Sequence, residues 1–364
     1  MHIRLLAIAA LAVLAAPVTR AAPPRAALDF RTPTFSVSLR ADSQTVARLA
    51  PLGTADFDFV PASQGRAGDG FAQLGDLTLR WRSPGSAHAD WRDASTFARR
   101  VPVRALPADD ALAAADLTAT FGADFPLTVQ RRWRAGGRAL ALSFTLTNTS
   151  AAPVEIGALG LPMIFDGILT DRSLDEAHRR ASFVDASIAN DAGYVQVTRL
   201  NGAGPALLVL PDGAAPLEAW RPLLEDRTKR GHTFEGFFEW MVASRAWAEQ
   251  EWRGAGEPWN PPTSFTLAPG ESRTLGWRFV SSPSIRAIEN ALIAERRPVV
   301  VGVPGYVIPT DLDATLFVSA PARVTAIDVQ PAGALTLTPG DVTQGWQRHA
   351  VRGLGWGRAR VTLS

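Results

Sequence analysis

The sequence predicts a mainly β protein built as a large antiparallel sandwich, and three observations predict it. Apolar and polar residues alternate with period two through most of the chain. The alternating runs are broken by Gly, Pro, Asn and Asp, the residues that turns prefer. With 364 residues, 46% apolar and 20% charged, the chain is long enough for one large or two ordinary cores.

The first element is not sheet. "MHIRLLAIAALAVLAAPVTRAAPPRA" places Arg4 ahead of an apolar run from Leu5 to Ala16, followed by Thr19 and Ala21 at the −3 and −1 positions. This predicts a signal peptide over residues 1–21, cut after Ala21. The apolar run is short for a bilayer span, so no membrane association is expected after cleavage. The expected location is exported, periplasmic or extracellular. Residues 22–44 read as an N-terminal linker.

The sandwich is expected over residues 45–297. In "LTLRWR", Leu77, Leu79 and Trp81 share one face. "LTVQRRWRAGG" puts Leu127, Val129 and Trp133 in phase. Gly136 and Gly137 then turn into "RALALSFTLTN", where Leu140, Leu142, Phe144 and Leu146 face one way. "GYVQVTRL", "PALLVLP" and "SFTLAPGESRTLGWRFV" continue the series. The last turns at Pro269-Gly270 and points Leu275, Trp277 and Phe279 inward.

Three stretches read as helices. "SLDEAHRRASF" opens on Ser173 with Glu176 three residues on, a capping box. "SIRAIENALIAERR" aligns Ile285, Ile288, Leu292 and Ile293 and stops at Pro298. "EGFFEWMVASRAWAEQEW" carries two stripes at helical spacing. One is Phe234, Phe237, Phe238, Met241, Ala248 and Trp252; the other is Trp240, Ser244, Trp247 and Glu251. Beyond it, residues 298–310 read as a Pro/Gly-punctuated connector and 311–364 as a small β module that ends on an apolar alternation.

Composition excludes much chemistry. There is no cysteine, so disulfides, thiolate metal sites and a cysteine nucleophile are ruled out. The five histidines form no close pair, which argues against a histidine metal site, and no cofactor is expected. Gly-x-Ser-x-Gly, P-loop and GxGxxG patterns are absent. The net charge is +2 and the arginines are scattered, so no nucleic-acid partner is expected. Asp56, Asp58, Asp69 and Asp76 lie near aromatics but lack calcium-loop spacing, and turn capping is the expected role.

What remains is carboxylates beside indoles. Glu235, Glu239, Glu249, Glu251 and Glu257 sit with Trp240, Trp247, Trp252 and Trp259. Sugar rings present C–H faces that pack on indoles, and glycoside hydrolysis needs two carboxyl groups. The same residues on a helix could equally be core tryptophans and solvated glutamates. "EPWNPPTS" holds Trp259 and Asn260 on a proline-stiffened loop, which suits a binding edge or a brace for the preceding element. The ligand-binding candidates are Glu239, Trp240, Trp247, Glu251, Glu257, Trp259 and Asn260. No catalytic residue is assigned.

"FTLTNTSAAPVEIGALGLPMIF" and "FTLAPGESRTLGWRFV" resemble strand pairs of the galactose-mutarotase-like β-supersandwiches that precede helical toroids in many glycosidases. "FDFVP", "GFAQLGDLTLRWR", "EWMVASRAWAEQEW" and "EPWNPPTS" resemble an uncharacterised secreted bacterial and fungal family described as six-hairpin-glycosidase-like. The resemblance runs from about residue 45 to 364. It implies that this chain is the N-terminal, substrate-framing β domain of a carbohydrate-active protein, with a poly- or oligosaccharide as partner. It also implies an (α/α) toroid beyond residue 364 that would carry the catalytic acids. The alternatives are a stand-alone glycan-binding module or a purely structural exported protein. Hydrolysis by this chain alone, with Glu239 or Glu257 as acid, lacks an evident second carboxylate at a defined separation.

Overall fold

The computed structural model describes residues 27–54, 56–61, 68–223 and 236–364. The predicted signal peptide, Phe234 and Glu235 lie outside the described residues.

The protein is mainly β, as predicted. Two sheets face each other across one large apolar core. The eight-stranded sheet runs in the order 182–187, 194–199, 206–213, 272–282, 139–148, 127–136, 113–116 and 104–105. The six-stranded sheet runs 219–223, 237–243, 154–163, 78–82 and 92–95, with 265–267 also paired to the start of the central strand. All the pairings are antiparallel.

Period-two alternation explains the core. Leu140, Leu142, Phe144 and Leu146 of one strand meet Leu275, Trp277 and Phe279 of its neighbour, all 1% exposed or less. Leu79, Leu159, Leu161 and Trp240 reach them from the six-stranded sheet. Trp240 meets Trp277 edge to face, with centroids 6.4 Å apart. Aromatic pairs prefer this geometry because ring edges and faces carry opposite partial charge.

The predicted linker over 22–44 is sheet from Ala27 onward. Ala27–Arg31, Phe35–Arg40 and Val46–Pro51 form a three-stranded antiparallel sheet. Phe35, Val37 and Leu39 are almost fully buried in the main core. "FSVSLR" has the strand alternation, and its burial makes it part of the sandwich.

Two helices stand where they were predicted. Ser173 accepts the Glu176 N–H and starts the helix Leu174–Arg180. Farther on, a 3-10 turn at Ile285–Ala287 leads into the helix Ile288–Ala294. Only Ile288 and Leu292 turn inward, whereas Ile285 and Ile293 are exposed. The third expectation was wrong. Phe237–Ala243 is a strand, and only Arg245–Glu249 beyond it is helical.

The predicted connector is also partly sheet. Val299–Val303 is the first strand of a four-stranded sheet with 313–319, 346–353 and 335–343. A two-stranded sheet, Ile327–Gln330 with Arg360–Leu363, accompanies it. An apolar seam joins the four-stranded sheet to the sandwich. Leu208, Leu210 and Val280 on the outer face of the eight-stranded sheet cluster with Ile288, Leu292 and Val299, and Trp346 packs against them.

His349 shares a face of this sheet with Val351 and is fully buried. Neither of its ring nitrogens has a hydrogen-bond partner. Desolvation pushes its pKa below the ordinary histidine value of 6.5. The unfolded chain then binds the extra proton first, and stability falls as pH drops below about 6.5. His349→Leu is expected to reduce that loss. Urea midpoints at pH 7.5 and 5.5 check it, and an equal drop in both proteins would refute the assignment.

Candidate functional site

The outward face of the six-stranded sheet carries the charged residues. Strand Thr78–Arg82 turns Leu79 and Trp81 inward, which leaves Thr78, Arg80 and Arg82 outward. Its neighbours contribute Glu155, Glu239, Arg221 and Asp93 to the same face. A strap made of the helix Arg245–Glu249 and the turn through Trp252 lies across them.

The strap is held by charge and by apolar contact. Arg80 donates two hydrogen bonds to Glu251, at 2.6 and 2.5 Å, one to the Gln250 side chain at 2.9 Å and one to Asp93 at 2.6 Å. Arg82 donates to Glu155 at 2.8 Å and to Glu249 at 3.1 Å. The same Glu249 oxygen accepts from the Trp91 indole at 2.9 Å and faces His88 Nδ1 at 2.8 Å. Beneath the strap, Ala246 and Trp247 pack on Ala158, Met241 and Trp91.

Trp91 fits because residue 157 is glycine. The strand is irregular between Ile156 and Ala158, and a Cβ at Gly157 would fall inside the Trp91 ring. Any side chain there would expel Trp91 and remove a donor from Glu249.

The protonation states follow from these contacts. For Glu251, burial works against ionisation, but the Arg80 hydrogen bonds and charge outweigh it and hold the carboxyl below its ordinary range. Glu249 is lowered in the same way, with His88, Trp91 and Arg82 outweighing its burial. Burial opposes the charge on Arg80, yet Glu251 and Asp93 raise its pKa overall. Carboxyls held this low are ionised at neutral pH and cannot serve as general acids there.

Of the predicted site residues, Glu239, Trp247 and Glu251 come together. Glu239 is fully buried on the outward face, bonded to Thr78 at 2.6 Å and to Arg221 Nε. The Arg80 and Arg221 guanidinium groups lie 3.6 and 3.9 Å from the Trp247 ring centre. That ring is therefore occupied by cations and is not presented bare. Trp240 does not belong to the site. It points into the core, is fully buried, and donates its N–H to the Pro216 carbonyl at 2.9 Å.

Glu257, Trp259 and Asn260 lie elsewhere, on the proline-rich loop. Asn260 braces that loop by donating to the Glu218 carbonyl at 2.9 Å. Glu218 accepts from Ser244 at 2.5 Å and from Thr263. Trp259 is 53% exposed, and Glu257 is exposed too.

Sequence reasoning missed Arg80, Arg82, Asp93 and Arg221. A signal existed for the first two. The alternation that sends Leu79 and Trp81 inward sends these arginines to the opposite face in register. The four aspartates read as turn caps do cap or pair. Asp58 accepts the Leu49 and Val60 N–H groups, and Asp69 accepts the Arg100 N–H. Asp76 accepts the Gln73 N–H and pairs with Arg100; Asp56 pairs with Arg199.

Beside Trp247 the sheet opens into a cleft of about 230 Å³. Thr78, Arg80, Asp93, Ser95, Arg221 and Trp247 line it. At the other end of the strand, a more polar hollow of about 510 Å³ is bounded by Arg82, Ser83, Ser86, Asp90 and Trp91. Among the described residues no group of three acidic or histidine side chains is placed to hold a metal ion.

The fold has solved counterparts. A polysaccharide lyase superposes with a TM-score of 0.63 at 13% identity, over 92% of this chain and 45% of that one. This chain therefore spans less than half the length of that lyase. A galactose mutarotase related enzyme from Lactobacillus acidophilus gives 0.43 at 9% identity, over 71% and 98% of the two chains. A GH36 α-galactosidase from Geobacillus stearothermophilus gives 0.38 at 10%, over 71% and 41%. At these identities the likeness concerns the fold alone. No curated protein matches the sequence. Residues 38–364 match a family of unknown function, DUF5695, and the chain belongs to that family.

Proposed function

We propose that the cleft beside Trp247 binds a sugar residue, and that the chain is the substrate-framing β part of an exported carbohydrate-active protein. The cleft itself carries the reading. Its volume lies below the roughly 300–1,000 Å³ of drug-sized ligand sites and suits a single pyranose ring. Thr78, Asp93 and Ser95 offer hydroxyl and carboxylate partners on rigid strands, and Ala94, Ala98 and Ala158 offer apolar wall. Its arginines are already paired with carboxylates, which favours a neutral sugar there.

Export is part of the proposal and rests on the N-terminal sequence. N-terminal sequencing of the protein from the periplasm or medium is expected to begin at Ala22. The resemblance to six-hairpin-glycosidase-like proteins adds the proposal that a helical toroid supplies the catalytic acids. The state of the glutamates agrees with this, because Glu239 is sealed and Glu249 and Glu251 are held ionised.

Asp93 is the residue to change, since its side chain is 73% exposed at the rim. Asp93→Ala is expected to weaken binding of a neutral oligosaccharide about tenfold, the loss of one charge-assisted hydrogen bond. Its folding stability should shift by less than about 1 kcal/mol, because Asp93 is solvated and the nearly buried Arg80 keeps Glu251 as counter-charge. Calorimetric titration with a panel of neutral oligosaccharides measures it. No binding by the unaltered protein, or binding indifferent to Asp93, would refute the cleft.

A second reading, a glycan-binding module without catalysis, is favoured by the same engaged carboxylates. Binding without release of reducing ends would select it.

A further inference from the structure

Eleven tryptophans occur in the chain, and all lie among the described residues. Nine are buried or half-buried. The two exposed ones are Trp259, at 53%, and Trp356, at 99%. A single exposed apolar side chain is ordinary on a protein surface, so what matters is what surrounds these two.

Their two segments meet although they are far apart in sequence. Arg358 places its guanidinium 4.3 Å from the Trp259 ring centre. Arg360 donates to the Trp259 carbonyl. Trp356 precedes Arg358 by two residues, at most about 7 Å along the backbone. Both sides of this contact are anchored. The Trp259 loop is pinned by Asn260 and by Thr263 on Glu218, and Arg360 sits in the two-stranded sheet opposite Gln330.

The charge here differs from that of the cleft. Among the described residues neither Arg358 nor Arg360 pairs with a carboxylate, whereas Arg80, Arg82 and Arg221 all do. Arg358 covers one side of the Trp259 ring, which is still 53% exposed, and Trp356 is open all round. Indole surface beside two unneutralised guanidinium groups suits a ligand with apolar ring faces and negative charge. Gly355 and Gly357 flank Trp356, so no neighbouring side chain closes over it.

We infer that Trp259, Trp356, Arg358 and Arg360 form a second saccharide site, one for an acidic glycan bearing carboxylate groups. Indoles stack the sugar rings, and the arginines pair with the carboxylates between them. Nucleic acid also offers rings and charge, but two arginines without a basic stripe give little phosphate neutralisation. The site needs no part of the Trp247 cleft and stands if that proposal fails.

The test is affinity electrophoresis of the purified chain in gels containing polygalacturonate, alginate, neutral xylan or no polymer. Retardation by at least one of the two acidic polymers is expected, weakened by 0.5 M salt. Trp356→Ala, which removes a side chain with no packing role, should weaken it roughly tenfold. Arg358→Gln should weaken it as well, while Arg134→Gln, which removes the same charge from the strand Leu127–Gly136, should leave it unchanged. The inference is overturned by no retardation in either acidic polymer, by retardation indifferent to Trp356 and Arg358, or by equal retardation in xylan. Tighter binding of a single-stranded oligonucleotide, or self-association abolished by Trp356→Ala, would overturn it in favour of a different partner.

Discussion

Glu239→Ala is expected to lower the folding free energy by about 3–5 kcal/mol, the range for removing one partner of a buried ion pair. Glu239 is fully buried and accepts from both Thr78 and Arg221. The Arg221 side chain is 14% exposed, so it keeps some water and the loss should fall at the lower end. Without Glu239, Arg221 is left against Trp247 with only the more distant charge of Glu251. The double replacement Glu239→Leu with Arg221→Met should recover much of the loss, since an apolar pair needs no mutual compensation. Urea denaturation at neutral pH measures both. A single-mutant cost under about 1 kcal/mol would mean that the pair is solvated and the strap looser than described.

Trp240→Ala is expected to cost a similar amount, about 3–5 kcal/mol, for a different reason. The indole fills the space between the sheets against Trp277, and its removal leaves a cavity plus an unpartnered Pro216 carbonyl. Saccharide binding by the fraction still folded should be unaltered. The opposite pattern, unaltered stability with lost binding, would place Trp240 at the ligand and contradict its inward orientation.

These neighbouring residues show why the strand Phe237–Ala243 was misread as helix. A strand with one wet face alternates visibly. Here Trp240 and Val242 enter the core, while Glu239 and Met241 are sealed under the strap on the other face. Both faces are covered, so polarity carries no period of two. The spacing of aromatics then resembled helical stripes. The strap itself is short, and its charged residues are bound to arginines distant in sequence.

Elsewhere the pattern was legible because one face met the core and the other met water. The strands around Leu140–Leu146 and Leu275–Phe279 are such cases. Ser173 with Glu176 marked a helix start because capping is local. The site was legible in composition and illegible in partners. Glu239, Trp247 and Glu251 were named, yet Arg80, Asp93 and Arg221 lie on other strands, and only sheet register brings them together. Trp259 was singled out from its stiff loop. Trp356 could not be, because Arg358, which joins its segment to Trp259, lies about a hundred residues farther along the chain.

The apolar seam of Leu208, Leu210, Val280, Ile288, Leu292, Val299 and Trp346 has a metrical consequence. The small sheets are not a pendant on a string. They are bolted to the sandwich by this seam and again by the contact of Arg358 and Arg360 with the Trp259 loop. The offset between the Trp247 cleft and the exposed tryptophan pair is then a constant of the molecule.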